Sequence, residues 1–352
     1  MKFLKMVFVL AVVFVLIVGG LILKSFHDTG VFRRIEPHFG GQCKAISGVL
    51  SSEDITIHPR TGMAFISSDD RRPRFRGKQG RQGAIYAFDL TAEHLQLIDL
   101  TADFEQEFHP HGIGLFVGQD GNSSLFVVNH RKDDHSVEIF AYKDKKLTHR
   151  MSICGQLMHS PNDIIPIGPR AFYVTNDHGN VSKLGRTLEE YLRLKRSYVL
   201  YYDGRGFRTV AKGLVYANGI NISHDGKTIY VASTGDGKIY VYNRETETGV
   251  LEFRHTIDIG TGVDNVELDE TGNLWIGAHP KLLDFVKYAK DPQKLAPSQV
   301  LKVVIEYPYR YKVEEIYLSK GDILSGSSVA AVFEDKLLIG SVFDERFLVC
   351  SY

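Results

Sequence analysis

Cysteine is scarce, with three residues in 352 and no Cys-x-x-Cys pair. That excludes a disulfide-built scaffold and argues against a structural zinc site. Net charge is absent too, with 42 Lys and Arg against 42 Asp and Glu. A nucleic-acid binder usually carries a basic excess, so no such partner is expected. There is no collagen or coiled-coil repeat, and no bias towards disorder. The 43% hydrophobic and 24% charged residues are an ordinary globular mix.

Long apolar runs are missing except for one. Residues 4–23 are apolar apart from Lys5 and the Gly19-Gly20 pair. A bilayer core takes about 20 such residues in a helix. A signal peptide has a shorter core ending at a small-residue cleavage site. Val18-Gly19-Gly20 is a weak site of that kind, and apolar sequence follows it. Residues 1–24 are therefore expected to be an uncleaved signal anchor and 25–352 the body, which would be secreted if the segment were removed. Lys2 and Lys5 place the N-terminus in the cytosol and the body in the lumen or outside. Lys24, Arg33 and Arg34 oppose that orientation.

The body repeats itself. Six stretches each read as apolar strand, turn, apolar strand: 55–68, 113–130, 164–177, 220–233, 266–279 and 329–342. Their turns carry Gly, Pro, Asp or Asn, and their second strands are rich in Val, Ile, Phe, Tyr and Trp. The starts are 46 to 63 residues apart. A strand repeat of that period predicts an all-β six-bladed propeller made of four-stranded blades. Helical pattern is confined to 186–195 (RTLEEYLRLK), which is expected to pack on a blade. The arginine-rich stretch 69–83 has no period and reads as a solvated loop.

A small polar cluster precedes the first strand of every unit. The clusters are Glu53-Asp54, Pro110-His111-Gly112, Asn162-Asp163, Asn218-Gly219, Asp264-Asn265 and residues 325–328. In a propeller, equivalent positions of successive blades ring the axis, so these clusters should converge on one end of the tunnel. Four carboxylates (Glu53, Asp54, Asp163, Asp264) would repel one another there unless a cation neutralised them. Hard oxygen donors without a thiolate suit calcium better than zinc.

These residues also carry a family resemblance. The motifs SEDITI (52–57), HPHGI (109–113), VVNH (127–130), PNDI (161–164), TNDH (175–178), ANGINIS (217–223), VDN (263–265), LWIGAHP (274–280) and KLLIGSVF (336–343) stand in unbroken order. In this the chain resembles the animal paraoxonases (serum paraoxonase/arylesterases). The resemblance implies two Ca2+ ions in the tunnel. The catalytic one would be held by Glu53, Asn162, Asn218, Asp264 and Asn265. The structural one would be held by Asp54, Asp163 and the backbone carbonyl of Ile113. It implies hydrolysis of esters, as a lactonase or arylesterase and by extension of organophosphate triesters, with the metal polarising the carbonyl or phosphoryl oxygen. His111 and His130 match a pair proposed to activate water, for which Asp264 is the alternative base.

Tyr216, His178 and His279 match positions near the substrate pocket. Cys43 and Cys350 match the family's disulfide, which would lock first and last strands in one blade and needs an oxidising compartment. Cys154 is expected to be a buried free thiol. Sequons at Asn122 and Asn180 lie in turn or loop contexts, while that at Asn221 lies in a strand. The chain departs from the family where the pocket edge is usually apolar and aromatic, reading Asp69-Asp70-Arg71-Arg72, and again at 179–182. A rival reading comes from nematode relatives that act as membrane-bound chaperones or accessory subunits of ion channels. There the propeller would be a scaffold with membrane-protein partners.

Overall fold

Each of the six expected strand pairs forms the two inner strands of its own antiparallel sheet in the computed structural model, which describes residues 2–352 apart from 79, 95, 133 and 307–309. The innermost strands are Ser52–Ile57, Pro110–Val117, Pro161–Pro166, Ala217–Ile222, Gly262–Leu268 and Ser327–Phe333, taken here as blades 1 to 6. They neighbour one another in chain order, and the last returns to the first, which closes a six-bladed propeller. An apolar layer lies between each pair of neighbouring blades. Phe126 and Val128 of blade 2, for instance, pack with Ile164, Val174 and Leu200 of blade 3. This is why the second strands read as β-branched and aromatic on both faces.

Blade 6 closes the ring. Its outermost strand is Gln42–Ser47, which pairs with Arg346–Ser351 so that Cys43 stands opposite Cys350. Those two residues are joined in a disulfide.

The polar clusters do not precede the innermost strands, as expected, but sit inside them. In every blade the ladder shifts register across two residues: between Ser52 and Ile55, Pro110 and Ile113, Pro161 and Ile164, Ala217 and Ile220, Val263 and Val266, and Ser327 and Ala330. The pairs left out of the ladder are Glu53-Asp54, His111-Gly112, Asn162-Asp163, Asn218-Gly219, Asp264-Asn265 and Ser328-Val329. A bulge re-aims side chains and frees backbone groups from pairing, and here it recurs at one level around the axis. Adjacent bulges touch backbone to backbone. A Cβ on Gly112 would lie 2.4 Å from Asp163 Cα, and one on Gly219 would lie 2.6 Å from Asn265 Cα. Only glycine permits that approach.

Helix α1 (Lys2–Asp28) continues past the expected boundary at residue 24. Its span Lys5–Asp28 is long and apolar enough to cross a membrane, and none of that span is buried. Arg193 Nη1 holds Asp28 at 2.7 Å, and Leu282 N donates to Thr29 O at 3.0 Å. Among the described residues the further helices are α2 (Arg71–Phe75), α3 (Lys183–Leu192) and α4 (Leu282–Lys290).

Two sequence expectations are overturned here. The stretch 69–83 is not a solvated loop, because its arginines dock on backbone carbonyls. Arg72 reaches Tyr288 O and Ala289 O, and Arg76 reaches Lys290 O, so both cap the end of α4. Arg74 bridges His130 O at 2.9 Å and Asp69 at 2.7 Å. The expected helix 186–195 is shifted to 183–192. Ser182 Oγ caps it by accepting Gly185 N, and Arg193 stops it in the left-handed conformation. Nor does it pack its apolar side on a blade. Leu184, Leu188, Tyr191 and Leu192 are exposed, and the buried residue is Glu189. Glu189 faces inward because it accepts hydrogen bonds from Gly179 N and the Asn180 amide.

Candidate active site

Glu53 sits at the centre of the arrangement. Its Oε1 accepts from Asn265 Nδ2 at 3.2 Å and faces His111 Nε2 at 3.5 Å, while Arg71 Nη2 lies 3.5 Å from Oε2. Ser328 Oγ donates to its backbone carbonyl at 2.6 Å. Burial would raise the Glu53 carboxyl, but the charges of His111 and Arg71 outweigh it and hold the group down at about 2. Asp264 faces His279 Nε2 at 2.8 Å. Burial lifts its carboxyl, and His279 only partly offsets that. Asn162 donates to Asp177 at 3.3 Å and Asn218 to Thr234 Oγ1 at 3.1 Å.

One feature unites the three amides. Each spends its nitrogen on a protein acceptor, yet Asn162 Oδ1, Asn218 Oδ1 and Asn265 Oδ1 are buried with no partner. Buried oxygens rarely go unpaired, and each costs about 1–3 kcal/mol when it does. A cation among them would satisfy all three. Among the described residues no three His, Cys, Asp or Glu side chains form a metal-holding group. The donors are amide oxygens beside the Glu53 and Asp264 carboxylates, a hard set that fits calcium and not zinc.

A second layer lies along the same strands. Asp54 accepts from Ile113 N at 2.7 Å and Ile55 N at 2.9 Å, and Asp163 from Ile220 N and Ile164 N, both at 2.7 Å. Each carboxylate thus staples its blade to a neighbour. Burial, then the charge of Glu53, raises the Asp54 carboxyl to about 8. Asp163 is raised well above the usual range by burial and by Asp54. Glu267, which the sequence reading missed, is raised by burial and by Asp54 as well. Carboxyls pushed up in this way call for a proton or a cation.

His111 Nδ1 lies 2.7 Å from His130 Nε2, and His130 Nδ1 lies 3.1 Å from His135 Nδ1. Burial, with the charges of His111 and His135, lowers His130 well below the ordinary histidine value. His135, at the start of the next strand, carries no local signal that pairs it with His130, and the sequence reading overlooked it.

The two histidines expected near the substrate pocket are both buried and paired with carboxylates. His279 is buried, stacked on Phe285 at 3.9 Å, and orients Asp264 rather than lining open space. His178 is buried between Asp177 at 2.6 Å and Glu190 of α3 at 3.0 Å. Tyr216 meets His178 edge to face at 5.2 Å. Its φ of 62° is a left-handed backbone that a bulky residue adopts only under constraint.

Burial would lower His178, but Asp177 and Glu190 outweigh it and lift the imidazole to about 9. A folded value above the unfolded 6.5 means stabilisation that is complete below 6.5 and lost as pH rises through about 9. The thermal midpoint of His178→Gln should fall below the wild-type value at neutral pH and rejoin it near pH 9–10, following the cited shift. Parallel curves across that range would refute the assignment.

The remaining sequence expectations divide. Cys154 is exposed, not buried, because it ends an edge strand; Arg131 Nη2 lies 2.9 Å from its sulfur. Asn122 is exposed in a turn. Asn180 is half-buried with its amide nitrogen given to Glu189, and the Asn221 nitrogen is given to Val266 O. The Asn122 nitrogen is given to Asp120 at 2.6 Å, so of the three sequons Asn122 is set apart by its exposure alone.

Hard oxygen donors that would hold a carbonyl-polarising cation, beside a paired imidazole that could activate water, suit an ester-hydrolysing enzyme built on a six-bladed propeller. The chain belongs to the Arylesterase family, whose profile matches residues 34–352. It is 37% identical over 327 residues to human serum paraoxonase/arylesterase 1, covering 90% of this chain and 91% of that protein. Human serum paraoxonase/lactonase 3 is 34% identical over 342 residues, covering 95% of both chains. In fold alone, the chain is similar to a luciferin-regenerating enzyme at a TM-score of 0.56 and 12% identity, covering 89% of this chain and 96% of that one.

Proposed function

We propose that the chain is a calcium-dependent hydrolase of carboxylic esters and lactones, held at a membrane by α1. The observation that carries this reading is the set of three orphaned amide oxygens beside Glu53 and Asp264. Glu53, Asn162, Asn218, Asp264 and Asn265 would hold the catalytic calcium, and Asp54, Asp163 and the Ile113 carbonyl a structural one. When bound, calcium supplies Lewis acidity to the acyl oxygen and charge stabilisation as that oxygen becomes negative.

The chain's own residues do the rest. His111 Nε2 takes a proton from water, whose oxygen adds to the acyl carbon; the acyl C–O bond then breaks and the leaving alkoxide takes that proton back from His111 Nε2. Protonated at Nε2, His111 donates Nδ1–H to His130 Nε2 at 2.7 Å. His130 is kept neutral by burial and so is fit to accept that hydrogen bond. His279 fixes Asp264, and Asn265 with Ser328 fixes Glu53.

For the membrane, Lys2 and Lys5 on the N-terminal side support an anchor with a lumenal or extracellular body. The outward Leu184, Leu188, Tyr191 and Leu192 of α3, beside the end of α1, support a propeller face resting on the bilayer.

The test is turnover of a panel of lactones and aryl esters by the full chain in detergent, with calcium and with excess chelator. Turnover lost to chelator and restored by calcium is expected. His111→Gln should lower kcat by about 10²–10⁴-fold, the range for a general base. A folded, calcium-loaded chain that hydrolyses nothing in the panel would refute the reading.

A further inference from the structure

We propose that Arg71 is a receptor for an anionic group on the substrate, so that this pocket selects esters or lactones bearing a carboxylate. The inference rests on the hydrolase reading above and adds a substrate class to it.

The segment 69–83 brings several cations to the tunnel mouth, but most are committed elsewhere. Arg72 and Arg76 cap α4, Arg74 ties Asp69 to the His130 carbonyl, and Arg81 pairs with Asp70 at 3.3 Å. Arg71 instead turns towards the site. Its side chain is 13% exposed and lies against Glu53 and the residue preceding His111. Both of its hydrogen bonds leave from Nη2, to Pro110 O at 3.2 Å and to Glu53 Oε2 at 3.5 Å. The second is at the outer limit of a hydrogen bond. Its Nε is buried with no acceptor. A guanidinium carries five N–H donors; with Nη2 engaged, the idle buried Nε beside the site is an unused donor for one oxygen of a carboxylate.

Charge points the same way. Glu53 and Asp264 bring two negative charges, which a divalent cation would match. Glu53 is also shared with Asn265 and faced by His111. The guanidinium then shares its nearby carboxylates, Glu53 and Asp69, with other partners (Asn265 and His111, Arg74 and His109), and a substrate carboxylate would complete its pairing. A polar segment starting Asp69-Asp70-Arg71 is therefore a specificity element as well as a support for α4.

The test compares two matched aryl esters, phenyl hydrogen glutarate (anionic) and phenyl pentanoate (neutral), on wild type, Arg71→Met and Arg71→Lys. Glutarate binding is titrated in parallel by calorimetry on the same calcium-loaded proteins. Charged hydrogen bonds of this kind correspond to about 10–100-fold, so Arg71→Met should lower the anionic-to-neutral ratio of kcat/KM by that factor, mostly through KM. Arg71→Lys should recover part of it, and glutarate binding should vanish in Arg71→Met. Should Arg71→Met fold poorly, Arg71→Gln takes its place. An unchanged ratio, or glutarate binding that persists without Arg71, overturns the inference while leaving the hydrolase reading intact. If wild type turns over neither ester, calorimetry alone decides: Arg71-dependent glutarate binding upholds the receptor, and its absence overturns it, while the hydrolase reading is judged on the full panel.

Discussion

Asp264→Ala is expected to reduce turnover of the best ester or lactone by about 10²–10³-fold, the range for removing one strong charge-stabilising group. The protein should stay folded. Asp264 contributes a carboxylate in the same bulge as the orphaned Asn265 oxygen, and it is held by His279 at 2.8 Å. Alanine removes a hard donor from the proposed calcium shell and leaves the blade-to-blade staples of Asp54 and Asp163 in place. Calcium titration by calorimetry would show the weaker catalytic site directly, independent of turnover. Asp54→Ala should do the reverse and lower the thermal midpoint first, because it deletes the acceptor of Ile113 N and Ile55 N. Full activity in Asp264→Ala would remove this carboxylate from the mechanism and from the metal shell.

Cys43→Ser combined with Cys350→Ser should give the largest loss of stability. The bridge closes a loop spanning 307 residues. The chain-entropy account gives about 6 kcal/mol for a loop that long, as an upper figure. For a body of this size that is a fall in thermal midpoint of roughly 5–10 °C. The physical site of the loss is the ring closure. Once the covalent link is gone, Gln42–Ser47 is held to Arg346–Ser351 by backbone pairing and by the partly buried Ala45 and Ile46. Limited proteolysis should therefore cut first near residues 40–48 in the double variant. The exposed Cys154 should be replaced by serine in both proteins to prevent exchange. Equal midpoints and equal cleavage would show that the hydrogen-bonded strand closes the ring unaided.

Much of the molecule was legible in the chain. Six strand pairs could be counted because each inner strand is buried on both faces and leaves a dense apolar run between turn residues. The clusters Glu53-Asp54, Asn162-Asp163, Asn218-Gly219 and Asp264-Asn265 stood out because polar residues interrupt those runs at one phase. What was not legible is direction. The stretch 69–83 has no period, so nothing local says that Arg71 turns to the tunnel while Arg72 and Arg76 turn to α4. Helix 183–192 carries an amphipathic pattern that suggests packing on a blade. Its acids prevail because Gly179 N, Asn180 and His178 offer them partners.

By itself, the sequence determined the number of blades, the membrane-length segment, the pairing of Cys43 with Cys350 through the family pattern, and the residues that meet at the axis. These follow from local periodicity and from motifs that keep their order. The tertiary structure alone decided that the polar pairs are bulges inside the strands and that three amide oxygens share an unmet need. It also decided that His135 backs His130, that His279 serves Asp264, and that Arg71 faces the site. Each of those facts depends on which groups from distant blades come within hydrogen-bonding reach, and that distance is set by closing the ring.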